Sequence, residues 1–221
     1  MTNTPKVTIR NRALRFGMEL AVIVLGVLIA LAADRWSQER QESSAGVEYL
    51  ARIVEEIRAD SALFVRGLAN TVRARSGRDT LLMALSGESV AARQELVLEV
   101  VYRAVLPPPI AWAELNNTGL LRLLGDAEVR RAVTAYYARR RQFEESLERA
   151  ERRGRDPLLD AAYPAGLMDG DVTEAELAEF LALPSAADLL TALGGYFFIT
   201  EDRLTRLLND ASATVGVVDP S

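Results

Sequence analysis

The chain of 221 residues contains no cysteine and no histidine. Without cysteine there are no disulfides, no thiol nucleophile and no thiolate metal ligand, and entry into an oxidising compartment demands no disulfide chemistry. Without histidine the commonest general base and the commonest transition-metal ligand are missing. Lysine is nearly absent: of 26 basic residues only Lys6 is a lysine. No segment alternates with the period of a strand, no unit repeats at a fixed period, and no G-x-S-x-G, H-E-x-x-H or phosphate-binding loop occurs. A hydrolase made from this chain would need paired carboxylates, or a serine served by a base other than histidine. The sequence is therefore read as non-enzymatic, with no cofactor and no metal.

Long apolar runs are also scarce, and the one that exists organises the chain. Phe16 to Ala33 is apolar except for Glu19. Eighteen helical residues span about 27 Å, close to the roughly 30 Å of a hydrocarbon core. Lys6, Arg10, Arg12 and Arg15 precede the run without an acid among them, and Asp34, Arg35 and Trp36 follow it. Arg15 and Trp36 are the expected interfacial anchors, and the basic N-terminal flank predicts a cytoplasmic N-terminus with everything after Asp34 outside. The expected organisation is a tail over 1–15, a transmembrane helix over 16–34, a helical connector over 35–48, a helical domain over 49–215 and a short end over 216–221. The same features describe a secretory signal peptide, with Ala30-Leu31-Ala32 as the cleavage site. Glu19 at the head of the apolar region and Trp36 beyond it favour an uncleaved anchor. Intramembrane acids usually face protein or water, and Gly26 and Ala30 make a small-xxx-small pair. Glu19, Gly26 and Ala30 are thus the candidate helix–helix contact.

Beyond Asp34 lie 22 basic and 29 acidic residues, a net charge of −7. Such a domain is a poor partner for nucleic acid or anionic lipid. Its apolar residues recur at helical spacing. Leu50, Ile53, Val54, Ile57, Phe64, Leu68 and Val72 stripe one helix, with Ser43 to Gly46 as a weak point where it runs on or breaks, and Ser76-Gly77 as a kink or stop. A further turn or two over Thr80 to Leu85 closes at Gly87. Ala91 to Leu106 reads as a second helix, ended by Pro107-Pro108-Pro109. A short helix over Trp112 to Asn116, a turn at Asn117 to Gly119 and a helical turn through Leu124 follow. Asp126 caps a long helix carrying Val129, Val133, Tyr136, Phe143 and Leu147. Residues 156–171 form the loosest region. Thr173 and Glu176 make a capping box for a helix to Ala182. A last helix runs from about Ala186 to Val215, weakened at Gly194-Gly195 and too short in its apolar part to be a second crossing. These elements predict an all-α protein: one N-terminal transmembrane helix followed by an extracytoplasmic antiparallel helical bundle.

Two blocks of residues resemble an uncharacterised bacterial family. Arg15-Phe16-Gly17-Met18-Glu19-Leu20, Val24 to Leu31, Trp36 and Tyr49-Leu50 are similar to its G-E-apolar opening, G-I-L-I-A-L core, tryptophan and Y-L helix. Glu114-Leu115-Asn116-Asn117-Thr118-Gly119, Leu121, Leu124, Asp126, Val129 to Ala132 and Tyr136-Tyr137 resemble its E-L-x-x-[ST]-G…Y-Y block. Met18 stands between the Gly and the Glu, and nothing after about residue 155 matches. The resemblance implies a single-pass protein of the bacterial inner membrane with a helical outer domain; it carries over no catalytic or ligand residue.

Local constellations have plain structural readings beside sharper ones. Asp169 to Leu177 is similar to the back half of a calcium loop, but Ala165 and Leu167 fall where ligands belong, and the capping box explains Thr173 and Glu176. Arg139-Arg140-Arg141, Arg149, Arg152, Arg153 and Arg155, interleaved with glutamates, read as a solvated face or an anion site. Asn116-Asn117-Thr118 fits a glycosylation sequon, a triplet that also arises by chance. Trp112, Tyr136 and Tyr137 read as core residues with wet polar tips. Asn116, Asn117, Thr118 and Gly119 form the candidate recognition loop; the plainer account is a turn in which Gly119 supplies a positive φ and Thr118 or Asn117 caps. The expected role is a membrane-anchored extracytoplasmic interaction or scaffold module, with the lipid bilayer and a second copy or a membrane protein as partners and no nucleic acid. The alternative is a periplasmic sensory or small-ligand-binding bundle that signals through a membrane partner.

Overall fold

The computed structural model of the chain describes residues 9–87, 105–165, 167 and 173–219, with side chains in the first stretch given for 16, 18–20 and 22–87. Every described element is helical, so the fold class is all-α. In order these are α1 (Ile9–Leu85), α2 (Ile110–Asn117), a 3-10 turn (Leu120–Leu123), α3 (Ala127–Ala150), a π-helical turn (Glu151–Arg155), α4 (Asp156–Ala162), α5 (Glu174–Leu181) and α6 (Ala186–Val218). The helix expected over Ala91 to Leu106 lies outside the described residues apart from 105 and 106, which already belong to the triproline loop.

Contacts divide the chain into two units, 1–48 and 49–221. The first holds the N-terminal part of α1, which begins at Ile9, inside the polar tail. From Phe16 to Gln41 every described side chain is exposed. Ser43 to Gly46 does not interrupt the helix. Among the described residues no single helix is long and apolar enough to cross a membrane.

The second unit is built on α1 from Tyr49 onward, α3 and α6. Ile53, Ile57 and Phe64 of α1, Val133, Phe143 and Leu147 of α3, and Leu190, Leu193, Phe197 and Leu204 of α6 are buried together. Cross-helix ion pairs give the directions. Arg58 meets Asp219 and Arg75 meets Glu201, each at 2.7 Å, so α6 runs antiparallel to α1. Arg139 meets Asp210 at 2.8 Å, and Gly154 lies against Ala192, so α6 runs antiparallel to α3 as well. It follows that α1 and α3 run in the same direction, with α6 returning between their ends.

Three expectations are corrected here. Ser76-Gly77 does not stop α1, which continues to Leu85. Ala74 and Leu81, on either side of it, are buried. Burying a leucine is worth about 1.5–3 kcal/mol, more than the roughly 1 kcal/mol that a mid-helix glycine costs. Val72, assigned to the apolar stripe, is exposed, and Thr71 takes the core position instead. Its hydroxyl donates to the Gly67 carbonyl at 2.8 Å, so only its methyl needs an apolar neighbour. The loose region over 156–171 contains α4, whose first turn tolerates Pro157 because that position needs no N–H.

Local signals were placed as the residues predict. Asp126 accepts from the N–H groups of Glu128 and Val129 at 2.8 and 3.0 Å and starts α3. These bonds, Val129 first, hold its carboxyl below the usual range. Thr173 and Glu176 form the reciprocal capping box of α5. Gly87 closes the turn after α1 with φ 87°. α5 and α6, bent by 91°, are together long and apolar enough to pass for a broken span. Their large apolar residues Leu177, Phe180, Leu190, Leu193, Tyr196 and Phe197 are already buried in the domain, which accounts for that apolarity.

Candidate functional site

The most organised constellation lies where α1, α2 and α3 meet. Asp60 and Arg140 are each 2% exposed. Arg140 Nε donates to Asp60 Oδ2 at 2.8 Å, and Nη2 reaches Oδ1 at 3.5 Å. The other guanidinium donors go to Glu144 Oε1 at 2.8 Å and to the Pro107 carbonyl of the triproline loop. The Tyr136 hydroxyl donates to Asp60 Oδ2 at 2.8 Å. One turn before Asp60, Glu56 accepts from the Tyr137 hydroxyl on Oε1 and from the Ala111 N–H on Oε2, the latter at 2.8 Å. Pro109 offers no side-chain cap to α2, so a carboxylate from α1 serves its first turn. Trp112 stacks on Tyr137 with centroids 4.7 Å apart and planes 8° from parallel, and Tyr136 meets Tyr137 edge-on.

The two tyrosines are thus core residues, but their tips are dry and bonded to carboxylates, against the expectation of wet ones. Burial first, then the carboxylate each one faces, pushes both hydroxyls well above their usual pKa. Arg140 is the second correction. Read from the basic run it belonged to a solvated face; it is the largest fully buried side chain of the described residues. The rest of the run behaves as expected in part: Arg152 pairs with Glu148 one turn away, and Arg155 lies 3.7 Å from Asp156.

Nearby, Glu114 of α2 takes the Tyr49 hydroxyl at 2.9 Å and the Arg52 guanidinium at 2.7 Å. Arg52 first, then Tyr49, hold the Glu114 carboxyl below its usual range. Chemically this junction is a clamp. Its carboxylates, guanidinium and hydroxyls are committed to one another, and no buried side-chain nitrogen or oxygen among the described residues lacks a partner. What the clamp fixes is the register of α1 against α3 and the seat of the loop that leads into α2.

The candidate recognition loop sits at the far end of α2. Gly119 adopts φ 69°, as the turn reading requires. The Thr118 hydroxyl donates to the Glu114 carbonyl at 2.8 Å, the plainer capping role. Asn116 and Asn117 are exposed. In the first unit, Glu19, Gly26 and Ala30 are exposed, and a Cβ added at Gly26 would meet nothing within 4 Å. Trp36 is exposed, with the Arg40 guanidinium 5.4 Å from its ring centroid. The Arg15 side chain and Asp169 to Asp171 lie outside the described residues.

Sequence reasoning missed a groove of about 620 Å3 on the second unit. Its walls are the end of α3 with the π-helical turn on one side and the middle of α6 on the other. Arg149, Arg153 and Arg203 line it, with Phe198 and Ile199. The signal was in the sequence. Arg149 and Arg153 are four residues apart on one helix face, and Phe198 extends the aromatic run Tyr196-Phe197 by one residue, beyond the arc of the helix that faces the core.

Comparison of the chain with family models, with curated proteins and with solved structures returned no match.

Proposed function

We propose that this chain is a single-pass bacterial membrane protein whose domain lies outside the cytoplasm and acts by helix–helix contact with a partner in the same membrane. Residues 16–34 are the anchor, and the N-terminal tail is cytoplasmic. The observation that carries the reading is the surface of the apolar run. Its eleven large hydrophobic side chains, Phe16 to Leu31, are between 49% and 73% exposed, and they point all round the helix instead of along one face. Transfer of such side chains out of water is worth about 1.5–3 kcal/mol each. A helix apolar on every side suits a lipid environment, whereas a helix destined for a protein core carries one stripe.

Further support comes from the flanks and from the fold. Four basic residues precede the run, and a tryptophan follows it. The residues that resemble the single-pass family also cooperate: Tyr49 of its Y-L helix bonds Glu114 of its E-L block, and the Tyr136-Tyr137 pair bonds Asp60 and Glu56. The open surface at Gly26 favours close approach of a second helix, a copy of this chain or another membrane protein, along Glu19, Gly26 and Ala30.

The absence of cysteine makes the test direct. Asn3→Cys and Ser212→Cys each introduce a single thiol, and a membrane-impermeant maleimide reads their side of the membrane. Labelling of Ser212→Cys in intact cells with an opened outer membrane, and of Asn3→Cys only after permeabilisation, is the expected pattern. The reverse pattern overturns the orientation. Release of the intact chain by alkaline carbonate overturns the anchor, and a mature mass lacking residues 1–32 replaces it with a cleaved signal. For the contact face, Gly26→Leu is expected to lower self-association in a membrane dimerisation assay or to release a co-purified partner.

A further inference from the structure

We propose that the groove between α3 and α6 binds a small anionic amphiphile: a phosphate or carboxylate head on an apolar body. The inference gives chemical content to the ligand-binding alternative and does not depend on the anchor.

The argument starts from the arginines. Many arginines of the second unit are committed to carboxylates, among them Arg52 to Glu114, Arg58 to Asp219, Arg75 to Glu201, Arg139 to Asp210, Arg140 to Asp60, Arg152 to Glu148 and Arg206 to Asp202. The residues beyond Asp34 carry a net charge of −7, so acids outnumber arginines around any cluster of them. Arg149, Arg153 and Arg203 make no ion pair among the described residues, and all three line one groove. Two come from one face of α3 and its π-helical turn, and the third comes from α6 opposite. Asp202 also lines the groove, but Arg206 holds its carboxylate at 2.8 Å. Guanidiniums gathered in one groove without ion-pair partners of their own fit phosphate or carboxylate, which their planar donors can grip two at a time.

The apolar half of the site is Phe198. It is 71% exposed in the middle of α6, while its neighbour Phe197 is fully buried. It lines both this groove and a smaller one of about 330 Å3 further along α6. An exposed ring beside arginines offers a face for an apolar or aromatic body. The volume falls in the range of small-molecule sites, roughly 300–1,000 Å3.

The walls are fixed by backbone. Gly154, in the π-helical turn, lies so close to α6 that a Cβ there would come within 2.9 Å of the Ala192 carbonyl oxygen. The helices pinch at that point, and the groove opens beside it on the side of Arg149 and Arg153. A single π-helical turn inside an α-helix is a common mark of a functional site.

The test is calorimetric titration of the full-length protein in phosphatidylcholine nanodiscs, with inorganic phosphate and phenyl phosphate as probes. Phenyl phosphate is expected to bind more tightly than inorganic phosphate. Arg149→Gln with Arg153→Gln is expected to weaken both by at least about tenfold, the scale of lost charge-assisted hydrogen bonds. Phe198→Ala is expected to remove the advantage of phenyl phosphate only. Arg152→Gln, which removes a paired arginine, is the control and should change neither. Adding phosphatidic acid to the disc separates the sources. Competition with phenyl phosphate assigns the head to a lipid, and its absence assigns it to a free ligand. No saturable binding of phenyl phosphate, or equal affinity in the double arginine variant with its melting temperature unchanged, overturns the proposal.

Discussion

The apolar run of the first unit and the apolar stripe of α6 have similar residues and opposite fates. Val22 to Leu31 exposes every described side chain, while Leu190, Leu193, Phe197 and Leu204 are buried. Hydrophobicity alone does not separate them; period does. In α6 the apolar residues fall three and four apart, and Asp188, Asp202 and Arg206 occupy the other faces. In the run there is no other face. A one-sided helix can finish its burial inside its own domain, whereas an all-round one needs an environment that is apolar on all sides. The difference also shows in the polar residues each region admits. The run contains Glu19 alone, and the domain buries Asp60, Arg140 and Thr71, each with a partner.

The sharpest way to break this contrast is to put the same charge into both regions. Val24→Arg with Leu28→Arg should cost membrane integration about 5–7 kcal/mol, from roughly 2.5–3.5 per arginine at mid-membrane. The melting temperature of the domain should not move. Fractionation together with a thermal scan reads both quantities. A drop in domain stability would mean that the run is packed against protein.

The converse variant acts on the domain alone. Asp60→Ala leaves Arg140 buried without its main partner, which should destabilise the domain by about 3–5 kcal/mol while membrane fractionation stays as it was. Pairing Asp60→Leu with Arg140→Met should recover most of that loss, because a buried ion pair is often no more stable than a well-packed apolar one. Chemical denaturation of the three variants measures it. If the double variant remains as unstable as the single one, the clamp does more than fix register.

That pair also shows where sequence reading reached its limit. Asp126, Gly119 and the Thr173–Glu176 box were legible because each works within a turn of itself. Arg140 and Asp60 are eighty positions apart, and within Arg139-Arg140-Arg141 all three arginines look alike. A signal was nevertheless available. Arg140 falls on the same helical stripe as Val133, Tyr136, Phe143 and Leu147, and Asp60 on that of Ile53, Ile57 and Phe64. Two opposite charges, each alone on an apolar stripe, predict a buried pair. Val72 and Thr71 show the reverse limit: apolarity placed the stripe one residue off, since a threonine whose hydroxyl bonds back to its own helix is apolar enough for a core. The groove was illegible for a different reason, because Arg203 joins Arg149 and Arg153 only through the packing of α6.

Alkaline titration gives the next effect in size. The folded-state pKa of Tyr136 and Tyr137 is raised by burial and by the carboxylates they face. The folded state therefore holds two protons that the unfolded chain releases above about pH 10. Stability should be unaffected by them below that pH and fall as pH rises beyond it, by about 1.4 kcal/mol per pH unit for each tyrosine. Tyr136→Phe should remove one such contribution, and the slope of stability against pH between 10 and 11 reads it. An unchanged slope in Tyr136→Phe would mean that water reaches that hydroxyl.

The smallest contrast uses glycine. Gly119 needs its positive φ of 69° to turn the chain from α2 into the 3-10 turn, whereas Gly26 lies within a regular helix where a Cβ meets nothing. Gly119→Ala should cost the domain about 1–2 kcal/mol, because an L side chain in the left-handed region crowds the following carbonyl. Gly26→Ala should leave domain stability unchanged and, by preserving a small residue, leave a close helix pair intact. Only Gly26→Leu should disturb that pair. Equal thermal shifts for Gly119→Ala and Gly26→Ala would place Gly26 inside a protein core, and the distinction between the all-round helix and the one-sided ones would fall with it.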